Sequence, residues 1–377
     1  MKVMVCIPCL MTGGTEIQTL NLVRALAIGG HRIVTVCYFE YSPEMVTRFK
    51  QAGSEVVCLS KDRTRIGGWK GIIFLFKGLR RVLKQCRPEV AHVQYMAPGA
   101  IPILLLRLLG MRQIIATAHT AADIYPSLRL VHFVQQHCVR VFTCITERAE
   151  RSFFGTSQLY SEQTQLKKRN HFTIYNALPA GISISRQAKS QDRPLTIGVV
   201  SRLESIKGMD LVVPAFAQVK TCHPEMQLLI VGDGSLRKQM EEQAHKAGLE
   251  ETVEFAERQP QEKLSSYYDR IDILLMPSRS EGFGLTAIEG MARGCVVVAA
   301  RTGGLPEVVR DGEVGLLHEP EQVEDLAAQI NKLIEQPALW KKFSNEATTY
   351  VQRFSFERFS QLFNNLYRSA LADTHSC

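Results

Sequence analysis

Ser278-Arg279-Ser280-Glu281-Gly282-Phe283-Gly284-Leu285-Thr286-Ala287-Ile288-Glu289-Gly290 sets two carboxylates eight positions apart around a glycine-rich turn. Before it, Ile271 to Met276 reads as a buried strand, a short apolar run closed by Pro277 and polar residues. After it, Thr286 to Arg293 reads as a helix ended by Gly294. A strand-to-helix turn of this kind is a ready anion site. The first helical amides have no internal partner, and the helix dipole favours negative charge there. Phe283, Gly284 and Leu285 can aim backbone N–H groups at a diphosphate. Glu289, an acceptor-only group one turn inside, can take both vicinal hydroxyls of a ribose. The same four residues, Thr286 to Glu289, also fit a capping box, in which Glu289 only satisfies the Thr286 amide. Glu281 lies outside the helix, where it can grip another part of a ligand.

Apolar runs alternate with helical patterns along the rest of the chain, which predicts parallel sheets covered by helices. The first series of strands falls at Lys2–Pro8, Arg32–Tyr38, Val56–Leu59, Val90–Gln94, Gln113–Thr117 and Val141–Ile145. The second falls at Leu195–Ser201, Gln227–Val231, Thr252–Phe255, Ile271–Met276 and Val296–Ala300. Asn176 to Pro194, rich in Ser, Gln, Lys and Pro, reads as the linker between them. The expected α/β architecture is two doubly wound Rossmann-like domains, residues 1–180 and 181–355, with strand C-termini directed to a shared cleft. A length of 377 residues fits two cores better than one.

Composition narrows the function. No apolar window is long enough to span a bilayer; the best, Gly99 to Met111, is short and carries Arg107. The N-terminal segment has an early proline and no small-residue cleavage site, so a first strand is expected there, not a leader. Ten cysteines scattered singly predict reduced thiols in a cytoplasmic protein. Cys6-Ile7-Pro8-Cys9 has no second pair to complete a zinc site. Residues 1–185 hold 23 Lys and Arg against 10 Asp and Glu, a balance of +13, while the remainder is at −5. A basic half suits an anionic membrane or a phosphorylated acceptor; no nucleic-acid-binding module accompanies the charge. Within that half, a helix over Trp69 to Arg87 sets Trp69, Ile72, Ile73, Phe76 and Leu83 on one side. Lys70, Lys77, Arg80, Arg81 and Lys84 lie on another. The expectation is that the apolar side packs on the first domain and the basic side is free to touch headgroups.

Further candidates follow predicted strand ends. Arg202 and Lys207, five residues apart, can close on a diphosphate. Thr12-Gly13-Gly14-Thr15 gives a glycine turn after strand one, but not the G-x-G-x-x-G dinucleotide fingerprint. His119 ends the strand before it, with Asp123 four residues on. Gly232-Asp233 opens another strand-to-helix turn, in which Asp233 can equally be a plain N-cap. There is no Asp-x-Asp pair and no metal-spaced cluster, so no metal and no cofactor is expected.

The stretch from Glu281 to Glu289, continued by Gly303-Gly304-Leu305-Pro306-Glu307-Val308-Val309 and Gly315-Leu316-Leu317, closely resembles retaining glycosyltransferases of the GT-B fold. The likeness spans nearly the whole chain and is most specific in its second half. It implies a nucleotide-sugar donor, UDP by default, and a saccharide or lipid-linked acceptor. In that family Arg202 and Lys207 would bind the donor phosphates, and Glu281 would contact the donor sugar. Gly13, Gly14, Gly232, Asp233 and Arg258 would lie on the donor side, and His119 near the transferred sugar. It also implies that the final helix, 356–372, crosses back to the first domain. The alternatives left open are an epimerase or hydrolase of nucleotide sugars, or a silent partner of a glycosyltransferase complex.

Overall fold

The computed structural model describes residues 1–95, 99–122, 127–166, 168–185, 189 and 193–372. The chain divides into two compact units: Met1–Ala177 together with the chain from Phe356 onward, and Leu178–Ser355.

The first unit is built on β1 (Lys2–Ile7), β2 (Arg32–Cys37), β3 (Ser54–Cys58), β4 (Val90–Tyr95), β5 (Ile114–Ala118), β6 (Val141–Cys144) and β7 (His171–Thr173). These strands are joined by α1 (Gly14–Ile28), α2 (Pro43–Gln51), α3 (Gly68–Cys86), α4 (Ile101–Leu108), α5 (Leu128–His137) and α6 (Glu147–Phe154). All pairings are parallel and the order is β3-β2-β1-β4-β5-β6-β7. Parallel strands buried on both faces need apolar residues at every position, hence their near-continuous runs. Alternate residues serve opposite faces. Met4, Val34 and Val93 meet the layer of α3 to α6, while Val3, Val5 and Ile33 meet that of α1 and α2.

The second unit repeats the plan with β8 (Thr196–Val200), β9 (Gln227–Val231), β10 (Val253–Ala256), β11 (Ile273–Met276), β12 (Val296–Ala300) and β13 (Gly315–His318). Its helices are α7 (Val212–Cys222), α8 (Arg237–Lys246), α9 (Leu264–Arg270), α10 (Leu285–Ala292), α11 (Leu305–Val308), α12 (Val323–Glu335) and α13 (Pro337–Tyr350). The order β10-β9-β8-β11-β12-β13 reverses direction between β8 and β11. Such a reversal opens a crevice at the strand C-termini, where ligands of doubly wound sheets bind. Helix α14 (Phe356–Ala372) belongs to the first unit, where Phe359, Phe363, Leu366 and Tyr367 are buried and Asn364 donates to Ala25 O at 3.0 Å.

Three features add to or correct the expectations. Strands β7 and β13 are additional to those read from sequence; both lie at sheet edges, and β7 has only three residues in which to show a period. The Asn176–Pro194 stretch is tied down at several points. Ala177 exchanges two hydrogen bonds with Gln18, Leu178 donates to Phe354 O, and Ser185 donates to Ala292 O. Lys189 donates to Tyr268 O at 2.7 Å, and Arg193 pairs with the buried Asp272 at 2.7 Å. The boundary between the units falls after Ala177, inside that stretch, and Ala177, Leu178 and Ile182 are buried beside these polar anchors. Finally, α3 packs through Gly71, Leu75, Leu79 and Val82, with Phe76 and Leu83 of the expected side partly buried against the same core, while Trp69, Ile72 and Ile73 are exposed.

Candidate active site

The loops after β8 and β11 flank the reversal of the second sheet and are fastened to each other. Gly208 has φ +66°, and a Cβ there would come 1.9 Å from Pro277 O, so only glycine lets the two backbones approach this closely. Arg279 donates its amide to Ile206 O and grips both oxygens of Asp210 at 2.7 and 2.8 Å. The bidentate geometry fixes the spacing of the loops. A second brace holds Glu281. Gly304 N donates to Glu281 O at 2.9 Å, and Gly303, at φ +56°, passes so close that a Cβ would lie 1.8 Å from that oxygen.

Within this frame Lys207 and Glu281 meet, with Nζ 2.6 Å from Oε2 and both side chains about one-fifth exposed. Residues from two loops, 74 positions apart in sequence, thus form one charged pair beside the start of α10. Helix α10 begins at Leu285, and its first closing bonds run from Ala287 and Ile288 to Gly284 O. Gly284, Leu285 and Thr286 therefore present the amides that precede internal bonding. Phe283 is buried, its ring edge-on to Phe354 at 5.5 Å, so it contributes backbone and an apolar anchor.

Glu289 is not part of a capping box. Thr286 lies inside the helix, and the carboxylate is turned inward, accepting from Tyr268 OH at 2.6 Å and Gln261 Nε2 at 3.0 Å. Burial raises the Glu289 pKa above the usual carboxylate range, and the bonds from Tyr268 and Gln261 oppose that rise. Burial, with the Glu289 charge beside it, holds the Tyr268 phenol well above its ordinary value, so it remains a donor. A buried carboxylate with two donors, each supplied by another element, is a preorganised acceptor.

Arg202 is exposed just after β8, and Arg258 is exposed after β10. Gly232 closes β9 against Ser201 O, and Asp233 accepts from the Gly234 amide at 2.8 Å. Asp233 is not the N-cap of α8, which starts at Arg237 after Leu236. In the first unit, Gly13 caps α1 and Gly14 begins it, at the C-terminal end of β1. His119 follows β5 and is buried, its Nε2 2.5 Å from Gln94 Oε1. Since that oxygen only accepts, Nε2 carries the proton and Nδ1 is the basic nitrogen. Burial lowers the His119 pKa to about 4, so the ring is neutral near pH 7. Asp123 lies outside the described residues. Among the described residues no group of His, Cys, Asp and Glu could hold a metal ion, and no helix is long and apolar enough to cross a membrane.

Sequence alone did not find Tyr268, Gln261, Asp210 or Gln94. Tyr268 sits in an ordinary amphipathic turn, and nothing in its spacing marks it as a partner for a residue 21 positions away.

The sequence profile of Glycosyl transferases group 1 matches residues 182–350, and that of Glycosyltransferase Family 4 matches residues 12–159. An uncharacterized glycosyltransferase of Methanocaldococcus jannaschii is 35% identical over 296 residues, covering 77% of this chain and 79% of that protein. The chain belongs to the glycosyltransferase family. The D-inositol 3-phosphate glycosyltransferase of Acidothermus cellulolyticus is 36% identical over 183 residues, which span 46% of this chain and only 41% of that relative. Among solved structures, Anabaena HepE in complex with UDP and glucose superposes with a TM-score of 0.76 at 18% identity, covering 98% of this chain and 100% of that one. A glycosyltransferase from Rickettsia africae gives 0.79 at 18% identity, with 98% of each chain covered. These neighbours carry the GT-B fold, and this glycosyltransferase shares it: two Rossmann-like parallel-sheet domains.

Proposed function

We propose that this glycosyltransferase is a retaining enzyme moving a hexose or N-acetylhexosamine from UDP to a saccharide or lipid-linked acceptor, in the synthesis of a surface glycoconjugate. The observation that carries the proposal is the Lys207–Glu281 pair beside the first amides of α10, with Glu289 held one turn further on. The donor diphosphate would take the amides of Phe283 to Leu285, with Lys207 and Arg202 supplying positive charge. It would compete with Glu281 for Lys207, releasing the Glu281 carboxylate to the hydroxyls of the donor sugar. Glu289 would accept from the ribose. Gly232, Asp233 and Arg258, at the ends of β9 and β10, would line the nucleotide side. In the first unit Gly13 and Gly14 allow close backbone approach, and His119 Nδ1 would accept from a sugar hydroxyl.

No carboxylate here is assigned as a covalent nucleophile. The bond from the sugar C1 to the diphosphate oxygen would break as the acceptor hydroxyl approaches the same face. The new C1–O bond then forms, the hydroxyl proton passes to the departing diphosphate, and UDP leaves. Stabilising the growing leaving-group charge would supply most of the rate, with Lys207, Arg202 and helix amides acting instead of a metal. The +13 balance of residues 1–185 supports an acceptor presented at an anionic cytoplasmic membrane surface.

The test is transfer of labelled sugar from UDP-, GDP- and ADP-donors to a membrane extract of acceptors, with the product anomer assigned by NMR, with and without EDTA. Label in an α-linked product from an α-linked UDP-sugar, undiminished by EDTA, is expected. Label only in free sugar would replace transfer by hydrolysis, and an inverted product would overturn retention. Loss of activity on chelation, rescued by Mg²⁺ or Mn²⁺, would overturn charge neutralisation by the protein alone.

A further inference from the structure

Helix α3 turns its aliphatic stripe, Leu75, Leu79 and Val82, into the core of the first unit. Its outer side begins with Trp69, 70% exposed, and Ile72 and Ile73, each 40% exposed. These are three and four residues apart, so they share one face of the first turn and a half. The same side continues into exposed Lys77, Arg80, Arg81 and Lys84, with Lys70 at its flank. None of these five cations pairs with a carboxylate among the described residues. Helices α3, α4 and α5 contain no Asp or Glu at all. Leu108, at the end of α4, which packs against α3, is 74% exposed.

This side has two chemistries in sequence along one helix: a water-exposed indole with two β-branched aliphatics, then unpaired cations. A soluble acidic partner would match the cations and leave Trp69 wet. Headgroups alone would do the same. An anionic bilayer matches both, because indoles and aliphatics gain by entering the interface while each cation is attracted by the surface potential. We infer that α3 docks on anionic membrane by inserting Trp69, Ile72 and Ile73 at the headgroup–acyl boundary, with Lys77, Arg80, Arg81 and Lys84 lying among the headgroups. The inference rests on the membrane part of the proposed function and adds apolar insertion at a named point.

The two tryptophans make it measurable, since Trp340 is 1% exposed in the core of the second unit and Trp69 is the solvent-facing one. The full chain is mixed with phosphatidylcholine vesicles with or without phosphatidylglycerol, including lipids brominated on upper acyl carbons. Expected with anionic vesicles are a blue shift of the emission and quenching by the brominated lipid, both lost in Trp69→Phe. Trp69→Ser with Ile72→Ser, at exposed positions, should weaken vesicle binding about tenfold or more with no change in thermal stability. Reversing Lys77, Arg80 and Arg81 to Glu should abolish binding. Salt-reversible sedimentation without quenching overturns insertion and leaves the membrane reading standing. No sedimentation with either vesicle overturns both. Self-association that depends on concentration and is lost in Trp69→Ser assigns the face to a second copy, and also overturns the inference.

Discussion

The two Rossmann-like units share a strand order, apart from the extra edge strand β7 of the first, and differ in what they place at its reversal. In the second unit the residues beyond β8 and β11 are charged and braced: Lys207 on Glu281, Arg279 on Asp210, and Glu289 under Tyr268 and Gln261. In the first unit a glycine turn with the buried Glu16 beside it follows β1, and a neutral, buried His119 after β5 is bonded to Gln94 of β4. One fold therefore places different side chains at the two reversals. Fixed charge suits a diphosphate whose own charge grows during bond cleavage. A neutral imidazole and open backbone suit hydroxyl groups, which need hydrogen bonds and little net charge.

The largest expected effect tests the charged side. Lys207→Ala should lower kcat by about a hundredfold or more, the loss of roughly 2.7–4 kcal/mol seen when one preorganised donor to a developing charge is removed. A steady-state assay with saturating donor measures it. A raised KM at unchanged kcat would return Lys207 to ground-state binding and blur the contrast between the units.

Next, Glu289→Gln should weaken nucleotide-sugar binding about tenfold or more, corresponding to roughly 1.5–3 kcal/mol for a hydrogen bond to a charged group. Calorimetry should find the penalty much reduced for a 2′-deoxy donor. Full affinity with a lower Tm would make Glu289 a purely structural carboxylate.

The neutral side predicts a pH dependence of folding. His119 titrates at about 4 and His92, buried between Tyr367 and Thr117, at about 3, both below the ordinary value of 6.5. Unfolded imidazoles take up protons that these do not. Their stability contribution is therefore complete above about pH 6.5 and is lost as pH falls toward the folded values. Each should add about 1.4 kcal/mol per pH unit to the slope below that point. His119→Gln should remove one such increment in urea titrations at stepped pH. An unchanged slope would mean that His119 protonates freely, and that the first unit's site is not kept neutral by burial.

The smallest effect sharpens the account of Glu289. Tyr268→Phe deletes a donor that favours the charged carboxylate, so the Glu289 pKa should rise further. Donor affinity would then fail at a higher pH on acidification, with a loss near neutrality of about 0.5–1.5 kcal/mol. An identical pH profile in the variant would leave Tyr268 as packing only.

Sequence alone determined the class of fold and singled out the charged candidates. Continuous apolar runs alternating with helical patterns admit little besides buried parallel sheets, and glycines after strand ends mark where backbone must turn or approach closely. Glu281 and Glu289 were legible because one short segment carries both, eight positions apart. Partnership was not legible, since Lys207 and Glu281 lie 74 residues apart and Tyr268 and Glu289 lie 21 apart. A single local period could not choose between ribose acceptor and capping box for Glu289, nor between the two apolar stripes of α3. The tertiary structure removed the capping box and selected the buried stripe, because a helix's orientation is fixed by what packs against it, and a carboxylate's surroundings by the side chains that other elements bring to it.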